Sequence, residues 1–158
     1  SAMTALGKKD GDNSSGGIGY LDIAAFIRAN GANPEKDLIE LWKRIVFNIA
    51  VSNTDDHLRN HGFILTENGW RLSPVYDVNP NLDKDALSLN VTEEDNALSV
   101  DLAIEVCEKF GIDKKDAVEL AKGVLVTVCD NWRIIAEKNG LSKSSIEYMK
   151  PAFGATQI

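Results

Sequence analysis

The chain has 158 residues, of which 44% are hydrophobic and 26% charged, and it carries a formal net charge of −7. Such a length suits one domain burying roughly two thirds of the surface its unfolded form exposes, so no disulfide or metal staple is required. The composition excludes wholesale disorder and fibrous repeats, no apolar run reaches the roughly 18 residues of a membrane span, and the acid excess opposes direct, general binding to nucleic acid.

No signal-peptide pattern opens the chain, which predicts a cytoplasmic protein. Cys107 and Cys129 each fall among aliphatic residues of a helical pattern and are expected as reduced core thiols. Ser1-Ala2-Met3 resembles a cloning remnant ahead of an internal fragment, and residues 7–19 have the Gly, Ser and charge content of a flexible loop. Two parts are therefore expected, 1–19 as remnant and loop and 20–158 as the domain. The glycines at 16, 17 and 19 do not make a phosphate loop, because no strand precedes them and no Gly-Lys-Ser/Thr follows.

Tyr20 to Ile27 forms a short helical run that stops at Gly31. Asn33-Pro34-Glu35 combines a cap, a first-turn proline and an acid at the positive helix end. The helix it opens should end near Ser52 and bury Leu38, Trp42, Ile45, Val46 and Ile49, which recur at steps of three and four. Phe63-Ile64-Leu65 and Trp70-Arg71-Leu72 flank Asn68-Gly69 and predict a hairpin. Leu87 to Val91 alternates like a strand or extended segment, and Ser99 opens a helix closing at Gly111. Asp113 caps the longest helix, with Val118, Leu120, Ala121, Leu125, Val128, Cys129 and Trp132 as its stripe, and a last helix starts after Ser142. The expected fold is mostly α with one inserted β-hairpin.

Chemistry concentrates in Asn53-Thr54-Asp55-Asp56-His57-Leu58-Arg59-Asn60, between a buried helix end and the hairpin. Ser73-Pro74-Val75-Tyr76-Asp77 follows the returning strand, so the hairpin can bring Asp77 back beside Asp55 and Asn60. Phosphoryl transfer from a nucleotide needs a carboxylate that accepts the attacking hydroxyl's proton and oxygen ligands for Mg²⁺. Protein kinases space the base and an amide ligand as D-x-x-x-x-N and place a metal-binding Asp beyond a short hairpin; Asp55, Asn60 and Asp77 reproduce that order. Taken singly, each Asp also suits a turn or cap, and Asp56 is expected to be structural. His57 and His61 are four apart, but their neighbours are hard oxygen donors that suit Mg²⁺ rather than Zn²⁺. The three tryptophans are expected as packing residues and Glu93-Glu94-Asp95 as a solvated run.

Through N-T-D-D-H-L-R-N, S-P-V-Y-D-V and L-S-L-N-V-T-E-E-D-N-A-L, the sequence resembles the HipA-like Ser/Thr kinases of bacterial toxin and antitoxin systems. The resemblance implies a protein-kinase-like C-terminal lobe using ATP and Mg²⁺. It makes Asp55 the catalytic base and Asn60 and Asp77 the magnesium ligands, with His57, Arg59, Asn60, Tyr76 and Asp77 along the nucleotide. It further implies a protein substrate and a small helix-turn-helix antitoxin as partners, with no direct nucleic-acid or membrane role. Asn53-Thr54-Asp55 stands where other protein kinases carry HRD, and Asp77-Val78-Asn79 where they carry DFG. No β-rich lobe with a phosphate-covering loop and its Lys precedes Asp55, so the isolated chain is expected to be inactive. Two rivals remain, a non-catalytic antitoxin-docking module and a metal-dependent phosphoesterase using Asp55, Asp56 and His57.

Overall fold

The structure is a computed structural model that describes residues 1–156, so the last two residues of the expected 20–158 domain lie outside it. Its helices are α1 (Ala2–Ala5), α2 (Tyr20–Asn30), α3 (Pro34–Ala50), α4 (Val100–Glu105), α5 (Lys114–Lys138) and α6 (Lys143–Met149). One antiparallel hairpin, β1 (Phe63–Thr66) and β2 (Gly69–Leu72), is inserted between α3 and α4. The chain is a mostly α domain with an inserted hairpin, the class its periodicity predicts.

The core is built around α3. Asn33 Oδ1 accepts the Lys36 N–H at 3.3 Å, Pro34 starts the helix, and Glu35 and Asp37 complement its positive end. Leu41, Trp42, Ile45, Val46 and Ile49 are all fully buried. Each such aliphatic side chain contributes about 2 kcal/mol by leaving water. The Trp42 indole also donates to the Ala103 carbonyl at 2.7 Å, which ties α3 to α4. On the other side α2 supplies Tyr20, Ile23 and Ile27 to the same core, and α5 supplies Ala117 and Ala121.

Three local expectations differ from what is found. Val118 and Cys129 do not belong to the buried stripe of α5, which runs through Ala117, Ala121, Leu125 and Val128. Each excluded residue follows a stripe residue and so lies about 100° further round the helix, facing solvent. The hairpin turns at Glu67-Asn68 rather than Asn68-Gly69, and Gly69 opens β2 opposite Thr66. There it is pressed on the α2–α3 connection, where the Ala32 N–H donates to the Trp70 carbonyl at 2.7 Å.

Leu87, Leu89 and Val91 alternate into the core in an extended segment, as expected, and the segment meets Gly19 in one parallel bridge at Asn90. Residues 1–19, expected as remnant and loop, carry α1 and a 3-10 turn at Ser14–Gly16. Ala2 is fully buried and its N–H donates to the His61 carbonyl at 2.7 Å, while the Ser14 N–H donates to the Ser88 carbonyl at 2.9 Å.

Candidate active site

The end of α3 sets the site. Ser52, just past the helix, takes a left-handed φ of 51° and turns the chain into the polar segment, where the Asn53 N–H returns to the Asn48 carbonyl at 2.8 Å. Asp56 then points into the protein and is 3% exposed. Its Oδ2 accepts from the Tyr20 hydroxyl at 2.7 Å and the Asn48 amide at 2.8 Å, and lies 2.8 Å from His61 Nε2. One carboxylate thus fastens α2, α3 and the base of the hairpin. Burial, then the charge of Asp56 and the hydrogen bond to it, push the Tyr20 phenol well above its ordinary pKa, so it stays a donor. Asp56 is structural, as the sequence suggests.

Asp55 turns the other way, with its side chain 66% exposed. It lines a cleft of about 290 Å³ together with Asn60 and Asp77, and Asn53, Asn79 and Asp83 add further oxygen-bearing groups. The hairpin produces this convergence. Register pairs Phe63 with Leu72, the Ser73 N–H donates to the Gly62 carbonyl at 2.9 Å, and the Tyr76 hydroxyl donates to the Arg59 carbonyl at 2.6 Å. Those ties carry Asp77 back beside Asn60. Asp77 holds a left-handed φ of 56°, a conformation that Asp and Asn tolerate better than most residues.

The donors suit a hard cation. Asn60 is buried, yet among the described residues no hydrogen bond engages its side chain, which lines the cleft. Asp77 receives one bond, from the Asn79 amide to Oδ1 at 3.0 Å. One carboxylate and one amide oxygen completed by phosphate oxygens are a usual magnesium environment. Among the described residues no three His, Cys, Asp or Glu gather as a metal site. His61 is engaged with Asp56, and that engagement of Asp56 also argues against the phosphoesterase arrangement.

His57 and Arg59 fall in an adjoining cleft of about 190 Å³ that also contains Lys9, Asp10 and Lys84 and shares Asp55 with the first. Arg59 is ion-paired with Asp10 of the first loop. His57 Nδ1 is buried without a hydrogen-bond partner. Tyr76 lines neither cleft; its hydroxyl is held by Arg59, and its ring is 44% exposed. The sequence reading omits Lys84, whose Nζ lies 3.1 Å from Asp55 Oδ1, and the amides that crowd the cleft. The run Asp77-Val78-Asn79-Pro80-Asn81-Leu82-Asp83-Lys84 carried the available signal, a polar density in a segment with no periodicity.

The most apolar hollow lies elsewhere, about 550 Å³ between α3, α5 and α6, and no ionisable residue lines it. It holds no acid, base or cation for the chemistry above. Among the described residues no helix is long and apolar enough to cross a membrane.

Comparison with known proteins places this geometry in a family. The chain is 31% identical over 65 residues to the "Putative kinase Y4mE" of Sinorhizobium fredii, a match covering 41% of this chain and 16% of that protein. It is 36% identical over 100 residues to a "Putative kinase" of Haemophilus influenzae, covering 58% of this chain and 29% of that one. The chain therefore spans under a third of either relative's length. The family model of the HipA-like C-terminal domain matches residues 1–132, which takes in both clefts and the helices that build them, and the chain belongs to that family.

Proposed function

We propose that this chain is the base-bearing and magnesium-binding lobe of a Ser/Thr protein kinase that transfers the γ-phosphate of ATP to a protein hydroxyl. The reading rests on one observation, the shared cleft of Asp55, Asn60 and Asp77 at the foot of the hairpin. Asp55 orients the acceptor hydroxyl and takes its proton as the acceptor oxygen bonds to the γ-phosphorus. The bond from that phosphorus to the β–γ bridging oxygen breaks, and ADP leaves with the electron pair. Asn60 and Asp77 would hold Mg²⁺, which when bound draws charge from the phosphate oxygens. His57 and Arg59 line the adjoining cleft, where the guanidinium nitrogens not paired with Asp10 can donate to a phosphate oxygen. The full protein would act in the cytoplasm as the toxin of a toxin-antitoxin pair, restrained by a small helix-turn-helix antitoxin.

Label transfer from γ-³²P-ATP to protein by the natural full-length chain tests this, against Asp55→Asn and Asp77→Asn. Asn is chosen at 77 because it tolerates the left-handed backbone. Each variant should lose at least about 100-fold of the rate with its melting temperature retained. Undiminished transfer by Asp55→Asn, or release of free phosphate from a phosphoester instead of transfer, contradicts the reading. The 158-residue chain alone should transfer nothing.

A further inference from the structure

The contact between Lys84 and Asp55 is not explained by stability. Both side chains are about half or more exposed, and an exposed Lys–Asp pair adds little to a fold. Yet the loop that carries Lys84 is fastened on both sides to the residues just before Asp55. Upstream, the Asn81 N–H donates to the Ser52 carbonyl at 3.0 Å; downstream, the Ser88 hydroxyl donates to the Thr54 carbonyl at 2.8 Å. Ser88 is itself held by the Ser14 N–H. Lys84 is the one cation among Asp77, Asp83 and Asp85 in that segment, and the fastening delivers it to the candidate base.

Asp55 is the residue shared by the two clefts, the oxygen-rich one with Asn60 and Asp77 and the one containing His57 and Arg59. Lys84 meets Asp55 in the second of them. An ammonium has three N–H donors. Two are directed at Asp55 Oδ1, at 3.1 Å, and at Ser88 Oγ, at 3.4 Å, which leaves one. Asp55 Oδ2 receives no hydrogen bond among the described residues and is available to an acceptor hydroxyl. A phosphoryl group moving toward a carboxylate meets like charge, and a fixed cation between the two offsets the repulsion where it is greatest.

We propose that Lys84 is a further catalytic residue of the same transfer, its ammonium bridging the Asp55 carboxylate and the oxygens of the phosphoryl group in flight. The inference rests on the kinase reading above. Lys84 forms no covalent bond and keeps its proton. The acceptor oxygen bonds to the γ-phosphorus, the hydroxyl proton goes to Asp55 Oδ2, and the bond to the β–γ bridging oxygen breaks with its electrons leaving on ADP.

The test is steady-state kinetics of the natural full-length chain with Mg²⁺, γ-³²P-ATP and myelin basic protein as a probe acceptor, in wild type, Lys84→Met and Lys84→Arg. Lys84→Met should lower kcat about 100-fold while leaving KM for ATP within about 3-fold, because the contact forms in the transition state. Lys84→Arg should regain at least about 10-fold of that loss, since the role needs a positive charge rather than one particular donor. Melting temperatures should coincide across the three. An active wild type whose kcat survives Lys84→Met, or a loss that Lys84→Arg does not relieve, overturns the role of Lys84 and leaves the kinase reading standing. A wild type that labels neither itself nor the probe removes the kinase reading and this inference with it.

Discussion

Asp55 and Asp56 are consecutive in the chain and face opposite ways, Asp56 into a buried cluster of Tyr20, Asn48 and His61, Asp55 out to Lys84 and solvent. The buried one fixes the backbone that aims the exposed one. Asp56→Asn should therefore lower stability by about 3 kcal/mol, because the donors gathered around Oδ2 lose the charge of their common acceptor and an amide NH2 replaces the other oxygen. Asp55→Asn should change it by no more than about 0.5 kcal/mol. Urea midpoints of the two variants measure the difference, and equal midpoints would show that the buried cluster is not the anchor.

Asp37 joins α3 to the returning strand of the hairpin. It accepts from Arg71 Nε and Nη2, both at 2.9 Å, and from the Leu72 N–H at 2.9 Å. Burial pushes its carboxyl up, but the bonds from Arg71 and Leu72 and the charge of Arg71 outweigh this and hold it below its ordinary value. A depressed folded pKa gives stability that is present above the unfolded value, about 3.9, and is lost as pH falls through the folded one. Unfolding midpoints should thus drop below pH ~4, and Asp37→Asn should flatten that part of the profile while costing about 2 kcal/mol at pH 7. An unchanged acid limb in the variant would remove Asp37 from the account.

Two glycines should respond in opposite senses to alanine. Gly69 has a φ of 123°, and a Cβ there would sit 2.7 Å from the Asn30 carbonyl oxygen, so Gly69→Ala should cost about 2 kcal/mol by lifting the hairpin from the α2–α3 connection. Gly123 lies within α5 with open space beyond its Cα, so Gly123→Ala should stabilise by about 0.5–1 kcal/mol. Thermal melts of the pair give both signs.

Much of the scaffold was readable because its periodicity is strong. The steps of three and four in Leu38, Trp42, Ile45, Val46 and Ile49 could only be reconciled with one buried helical face, and all five are buried. The spacing of Asp55, Asn60 and Asp77 around a hairpin likewise anticipates the cleft they share. What escaped were contacts between segments distant in sequence. Neither period nor spacing tells that Asp10 of the first loop meets Arg59, or that Ser14 holds Ser88 beneath Lys84. Cys129 escaped for a different reason, since an aliphatic-rich helix offers two adjacent stripes and only α3 decides which is covered.

The proposed meeting of Asn60 and Asp77 on one cation beside Asp55 is most directly measured by Mn²⁺, a paramagnetic stand-in for Mg²⁺, titrated into the isotopically labelled 158-residue chain and followed by NMR. The side-chain amide of Asn60 and the backbone amides of Asp55 and Asp77 should broaden first. The side-chain amide of Asn33, at the opposite end of α3 and about 25 Å away, should persist. Broadening that starts at the exposed acids Glu93 and Glu94 while Asn60 stays sharp would contradict the account.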